Sequence, residues 1–144
     1  MNSTFLAIPA ALAATLLMTE YGVAQDATTK GLHLELNAIN DTGNACRLSF
    51  VANNTTGSDI DQAVFETVIF DASGSVMSLS LFDFRDLPAN RPRVRQFDVP
   101  SATCNGLGRV LINGANTCTV SDKNSDICSS SLNLSSRVAL DLIG

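Results

Sequence analysis

From residue 32 onward, short runs of alternating apolar and polar residues are separated by clusters of turn-forming residues, a pattern typical of β-strands. The clearest example begins at Leu32, where Leu32, Leu34 and Leu36 share one face. Met77, Leu79 and Leu81 are in phase in the same way. Strands are predicted at residues 32–39, 46–52, 64–70, 75–82, 94–99, 109–112, 117–120 and 136–142.

The segments between these runs contain residues that favour turns. Residues 71–74 form an Asp-x-x-Gly turn, and Asn113-Gly114 predicts a second hairpin whose return strand is 117–120. Two prolines within 86–92 exclude a central strand there, and 122–131 is predicted to be a loop or one helical turn. The strand count predicts an all-β fold, an antiparallel immunoglobulin-like β-sandwich of about seven to eight strands, formed by one domain at 26–144.

The N-terminus has the pattern of a secretory signal. Residues 5–18 are mostly apolar, a run of about 14 that is shorter than the roughly 20 residues of a membrane span. Small residues follow, and cleavage is predicted after Ala24 or Gln25, so that residues 1–25 form the signal peptide. The alternatives are an uncleaved membrane anchor and a buried N-terminal helix. No later segment approaches a membrane span, and we expect a periplasmic or secreted product without a transmembrane segment.

The four cysteines, Cys46, Cys104, Cys118 and Cys128, follow the predicted signal. An even number in an exported domain indicates two disulfides, and three pairings are possible. We favour Cys46–Cys104 with Cys118–Cys128. A metal site is not predicted, because the cysteine spacing lacks close pairs and His33 is the only histidine.

Charge is unevenly distributed along an acidic chain of net charge −5, which offers no general attraction to nucleic acid. Four of the nine basic residues, Arg85, Arg91, Arg93 and Arg95, lie within one short stretch. Guanidinium groups suit carboxylates, phosphates and protein interfaces, so this stretch is the predicted partner-binding site. Phe82 and Phe84 are predicted to lie beside the contact, with core packing as the alternative. The arginines have two other interpretations: pairing with nearby aspartates, or protection of an edge strand.

Glu66 lies within an otherwise apolar predicted strand. If the face with Val64 and Val68 points inward, Glu66 needs a buried partner, and a buried ion pair with an arginine is expected. If that face points outward, its apolar residues form a stripe that can dock a partner. The third alternative is a strand buried on both faces with Glu66 at its margin, and the periodicity alone does not choose among the three.

Residues 48–60 end a strand in an Asn-rich turn, and residues 64–76 end the next strand in Asp-x-x-Gly-x-Val. This order resembles small bacterial extracytoplasmic β-sandwich domains of the FxLYD-like kind. With the stretches 83–88 and 93–98, the chain is also similar to uncharacterised alphaproteobacterial exported proteins. The resemblance implies a location outside the cytoplasm and no particular activity or catalytic residue.

No catalytic arrangement stands out. The chain has no Gly-x-Ser-x-Gly elbow, and Gly106-Leu107-Gly108 lacks the residues of a phosphate loop. We therefore predict no enzyme activity and no cofactor. The expected function is that of a binding or accessory protein of a cell-envelope complex. The alternatives are a structural or assembly protein acting by β-strand augmentation, and a small exported hydrolase or inhibitor.

Overall fold

The computed structural model describes residues 29–144. The predicted signal peptide lies outside the described residues. The strands are β1 (Leu32–Asp41), β2 (Ala45–Asn54), β3 (Ile60–Asp71), β4 (Val76–Leu87), β5 (Arg93–Pro100), β6 (Leu107–Val120), β7 (Lys123–Asn124), β8 (Leu132–Ser136) and β9 (Asp141–Ile143). A 3-10 turn (Cys104–Gly106) precedes β6, and a four-residue helix, α1 (Ile127–Ser130), precedes β8.

The strands form two sheets, and the predicted all-β sandwich is confirmed. One sheet has the order β5-β2-β1-β8 and the other β4-β3-β6-β7, with β9 also paired to β6. Most neighbours are antiparallel, as expected, but β1–β8 and β6–β9 are parallel, so both sheets are mixed. β4 and β5 end their respective sheets and are joined by the short segment 88–92, which places two sheet edges on the same side of the molecule.

The core lies between the sheets and receives side chains from both. Leu32, Leu34 and Leu36 of β1 are buried, as their period of two predicts. Phe50 of the first sheet contacts Phe84 of the second edge to face, with ring centres 5.4 Å apart, and the ring centres of Phe65 and Phe84 are 5.6 Å apart. Phe84 is thus a central contact between the two sheets.

The predicted hairpin at Asn113-Gly114 is wrong. β6 is one long strand through this position, and its register against β3 shifts between Ile112 and Gly114 and again between Ala115 and Thr117. Each shift inserts one extra residue into β6, which is the definition of a β-bulge. Because β6 pairs with β3 on both sides of Gly114, the chain forms a bulge at the predicted turn and does not reverse direction.

The predicted last strand at 136–142 is also wrong, because the chain changes sheets within it. β8 ends at Ser136, and β9 begins at Asp141 in the other sheet. The Ser136 hydroxyl donates to the carbonyl of Leu140 at 2.6 Å, and the Arg137 amide donates to the carbonyl of Leu36 at 2.9 Å. These bonds hold a bend where periodicity alone predicts extended chain.

The favoured disulfide pairing is confirmed. Cys46 of β2 is bonded to Cys104, which joins the first sheet to the turn that enters β6. Cys118 of β6 is bonded to Cys128 of α1. No described helix is long and apolar enough to cross a membrane.

Candidate functional site: the β4–β5 side of the sandwich

β4 is an edge strand whose two halves differ. We call residues 76–82 the open segment and residues 83–87 the closed segment. β4 pairs with β3 alone, and no other described residue hydrogen-bonds to the open segment. The open segment carries no charged side chain, and Leu79 and Leu81 are 57% and 55% exposed. An unpaired strand edge of this kind is a template for another strand.

The apolar face of the open segment points away from the core. Its outward residues include Leu79 and Leu81, while Ser78 and Ser80 share the inward face with Phe82. The reason lies farther along β4, where Phe82, Phe84 and Leu87 are anchored in the core. Strand periodicity then turns Leu79 and Leu81 outward.

Arg95 of β5 closes the other half of β4. Its guanidinium donates to the main-chain oxygens of Phe84 at 2.6 Å and Asp86 at 3.0 Å. It also lies 3.3 Å from the Asp86 carboxylate, and its side chain is only 17% exposed. These bonds occupy carbonyl groups at the edge of the closed segment. Arg95 therefore protects an edge strand and joins the two sheets, in agreement with one of the interpretations of the sequence.

The remaining arginines divide into two groups. Arg93 lies 3.5 Å from the Asp86 carboxylate, which fits the expectation of pairing with nearby aspartates. Arg85 and Arg91 are exposed and form no salt bridge within residues 29–144. Of the four predicted partner-binding arginines, these two present uncommitted positive charge.

Arg85 also has an unusual backbone. Its φ of 59° lies in the left-handed region, which is costly for a residue with a side chain. It follows a β-bulge in which Phe84 is the extra residue opposite Ala63 and Val64. The Asp83 carboxylate accepts a hydrogen bond from the Arg85 amide at 2.8 Å and supports this conformation. Bulges at sheet edges commonly re-aim a side chain, and this one lies beside the open segment.

A cleft of about 490 Å³ separates the edges of β4 and β5. Leu81 and Arg85 contribute to its β4 wall, and Val94 and Arg95 to its β5 wall. Val94 is itself largely exposed. The cleft thus joins apolar surface to guanidinium groups directly beside the open edge.

Asn54, which the sequence analysis did not select, fixes the geometry of this side. Its buried amide donates to the carbonyl of Leu87 at 2.7 Å and that of Ser58 at 2.8 Å. Its main-chain oxygen accepts from the amide of Asn90 at 2.7 Å. Since Leu87 and Asn90 flank the start of the β4–β5 connection, Asn54 sets the position of both edges. The hydrogen bond from Asn54 to Leu87 joins residues far apart in the chain, so it cannot be recognised from the sequence. The residues next to Asn54 indicate only a turn.

The expectation that Phe82 and Phe84 lie at the contact surface is corrected. They are 4% and 0% exposed and pack against Phe50 and Phe97, so their rings are not available to a partner. The core-packing alternative accounts for both. The exposed apolar residues of β4 precede them and are Val76, Met77, Leu79 and Leu81.

The buried ion pair at Glu66 is also corrected. Glu66 is half-buried on the outer face of β3 and accepts a hydrogen bond from the side-chain amide of Asn113; no arginine in the described part of the chain reaches it. The inward face of β3 carries Phe65, Thr67 and Ile69. The face with Val64 and Val68 lies on the outer side of the sheet but is itself covered, so β3 is buried on both faces with Glu66 at its margin, the third of the possibilities.

On this outer face, neighbouring strands align one apolar row. Val68 of β3 lies opposite Leu79 of β4 and Leu111 of β6, and Leu111 lies opposite Ile143 of β9. Val68 is nearly covered, whereas Leu79 and Ile143 are exposed. The row ends at the open edge, so a strand added there would continue it.

Other candidate chemistry is not assembled within residues 29–144. His33 is partly exposed, and its ring Nε2 lies 2.6 Å from the carbonyl oxygen of Thr29. No group of three or more His, Cys, Asp or Glu side chains in this range is placed to hold a metal ion.

Comparisons of the chain with protein-family models, with curated proteins and with solved structures found no match. The resemblance to FxLYD-like and alphaproteobacterial exported proteins stays a prediction. The geometry of the β4–β5 side is therefore the feature that indicates a function.

Proposed function

We propose that this chain is a non-catalytic binding protein of a cell-envelope complex that accepts an extended segment of a protein partner along the open edge of β4. One observation carries the proposal: the outer edge of residues 76–82 is unpaired and uncharged, while the rest of the same strand is closed by Arg95. Natural edge strands are commonly protected by charge or covering groups, so an unprotected apolar edge indicates an interaction surface.

The chemistry of the site suits β-strand addition. Main-chain hydrogen bonds supply affinity in this mode, and alternate side chains supply specificity. Leu79 and Leu81 offer apolar contact on the outer face, and Arg85 places a positive charge at the end of the open segment. We expect the partner segment to be extended and apolar, with an acidic residue of the partner outside the paired part that reaches Arg85.

Location supports the same interpretation. The structure contains two disulfides, which persist mainly in oxidising compartments. Together with the predicted signal peptide, they support a periplasmic or secreted protein. Because Arg93 and Arg95 are bonded to β4, the proposed contact keeps only Arg85 and Arg91 of the predicted segment 85–95 and adds the open segment.

Photo-cross-linking in the intact envelope tests the proposal. A photoreactive phenylalanine analogue replaces Leu81, and the matched control carries it in place of Ala139, an exposed residue between β8 and β9. We expect a discrete cross-linked product from position 81 and none from position 139. Arg85→Ser should lower the yield, whereas Arg137→Ser, which disrupts a surface pair with Glu35, should not. Equal labelling at both positions, or none at position 81, would overturn the proposal.

A further inference from the structure

The open segment has a pattern that is symmetric about its centre. Residues 76–82 read Val-Met-Ser-Leu-Ser-Leu-Phe, with Leu79 in the middle, a serine on each side and two apolar residues beyond each serine. An antiparallel strand runs in the opposite direction, so a pattern that reads the same both ways matches itself. Binding a different protein imposes no such symmetry.

From this symmetry and the open edge, we propose that the partner is a second copy of this chain, paired antiparallel through β4 about a two-fold axis at Leu79. The inference rests on the proposed function and names the partner of the same edge. In this register, Leu79 faces its own copy, Ser78 faces Ser80, and Met77 faces Leu81. Such a two-fold contact is isologous and closes after two chains.

The limits of the open segment select this register. At one end, Arg95 occupies the carbonyls of Phe84 and Asp86, so a second strand cannot bond there. At the other end, the chain turns back between Asp71 and Ser75. The stretch between these limits is centred on Leu79, and no charge falls within the paired part. Asp83 lies opposite Ser75 of the second copy, so like charges do not meet.

Side-chain packing supports the same partner. The outer-face row of Ile143, Leu111, Val68 and Leu79 meets its symmetric copy at Leu79 and becomes one continuous apolar row across the joined sheets. The exposed surface of Leu79, Leu81 and Met77 is covered by the matching residues. Met77 lies in a β-bulge, and its unbranched side chain suits an irregular contact.

Sedimentation analysis of the full exported chain provides the first test. Pairing through residues 76–82 is a small interface, so we expect a reversible dimer seen over a range from about 1 μM to about 1 mM. Leu79→Lys places two like charges on the two-fold axis and should raise the dimer dissociation constant by about tenfold or more. Ala139→Lys, at an exposed position between β8 and β9, is the matched control and should leave the dimer unchanged.

Charge complementation tests the register independently of folding. Mixing the Leu79→Lys and Leu79→Glu variants should restore a mixed dimer, because opposite charges then face each other across the axis. A mixture that stays monomeric while the parent chain dimerises would show that Leu79 does not meet its own copy.

Cysteine cross-linking adds a distance to the same test. Partners opposite each other in an antiparallel pair have Cα atoms about 4.5–5.5 Å apart, within disulfide range. Leu79→Cys should therefore form a disulfide dimer under mild oxidation. Ser80→Cys is the matched control and should not, because it is displaced by two residues from its own copy in this register.

The outcomes separate the two proposals. A chain that is monomeric throughout, but still cross-links from position 81 to a different envelope protein, would overturn the self-pairing and retain strand acceptance. A dimer that Leu79→Lys leaves intact, or one that the Leu79→Cys variant cannot cross-link, uses another surface and also overturns the self-pairing. A monomer with no cross-link from position 81 would overturn both.

Discussion

The two halves of β4 belong to one strand and pair with one neighbour, yet they present opposite surfaces. In the closed segment, Phe84 and Leu87 are buried, and Arg95 occupies the edge carbonyls. In the open segment, Leu79 and Leu81 are exposed, and the edge is bare. Both halves lie at a sheet edge, so edge position alone does not decide whether the main-chain groups of β4 are accessible to a partner. The Arg95 guanidinium from the other sheet occupies those of the closed segment and none of those of the open segment.

The arginine-rich segment divides along the same boundary. Arg95 is largely buried by its bonds to β4, while Arg85 is an exposed charge at the junction of the two halves. Arg95 therefore joins the two sheets, and Arg85 is exposed on the surface. The proposed partner surface consists of the open segment, which precedes the carbonyls that Arg95 binds, together with the exposed Arg85 and Arg91.

The largest expected difference between the halves concerns the core. Phe84→Ala removes a fully buried ring that contacts Phe50 and Phe65, and should lower the free energy of unfolding by about 3–5 kcal/mol. Leu79→Ala, in the open segment, is the matched control and should change it by only about 0.5 kcal/mol. Urea unfolding with the disulfides intact measures both. Similar losses for the two variants would remove the distinction between the halves.

Arg95→Met tests whether one guanidinium closes the strand. The substitution keeps an unbranched side chain but removes the bonds to Phe84 and Asp86, and should cost about 1–3 kcal/mol in unfolding free energy. Arg91→Met, at an exposed arginine without a salt bridge in the described range, should change it by less than about 0.5 kcal/mol. An Arg95→Met protein as stable as the parent would assign Arg95 to binding instead of structure.

Arg85→Gly addresses the boundary between the halves. Glycine adopts a φ of 59° without steric cost, so the variant should be about 0.5–1 kcal/mol more stable than Arg85→Ala, which keeps the strain. Both variants should weaken cross-linking from position 81 equally, because both lose the charge. A difference in cross-linking between them would show that backbone shape, and not charge, serves the partner.

Acidification should loosen the turn that precedes the open segment before it loosens the closed segment. The Ser73 hydroxyl, with the Ser75 and Ser73 amides, lowers the pKa of Asp71 below its ordinary 3.8. A lowered folded-state pKa gives stability that is present above the unfolded value and is lost as pH falls through the folded value. Amide exchange at Ser73 and Ser75 should therefore rise below about pH 4 more than at Phe84.

Asp71→Asn is the control for this effect. The amide oxygen can still accept from Ser73 and Ser75 but does not titrate in this range, so the acid-induced rise at these amides should shrink. An unchanged rise would mean that another group governs the hairpin.

Several elements followed directly from local pattern. The leucines of β1 are buried on one face because a period of two places them there, and the Asp71–Gly74 turn forms because Asp71 bonds the amides that follow it. The predictions of a hairpin at Asn113-Gly114 and of a strand at 136–142 failed because hydrogen bonds to neighbouring strands determine the backbone at both places. At the candidate site, the binding role of the arginines stays a prediction. Phe82 and Phe84 were expected beside the contact, with core packing as the alternative, because alternation does not reveal which face is covered.

By itself, the sequence determined the β-rich class, the even set of cysteines and the uncharged, symmetric segment around Leu79, because these depend on residue type and spacing. Only the tertiary structure decided that this segment lies at a sheet edge, that its leucines face outward and that Arg95 closes half of its strand. These features arise from contacts between residues far apart in the chain, where the packing of Phe84 between the sheets fixes which way the preceding residues of β4 face.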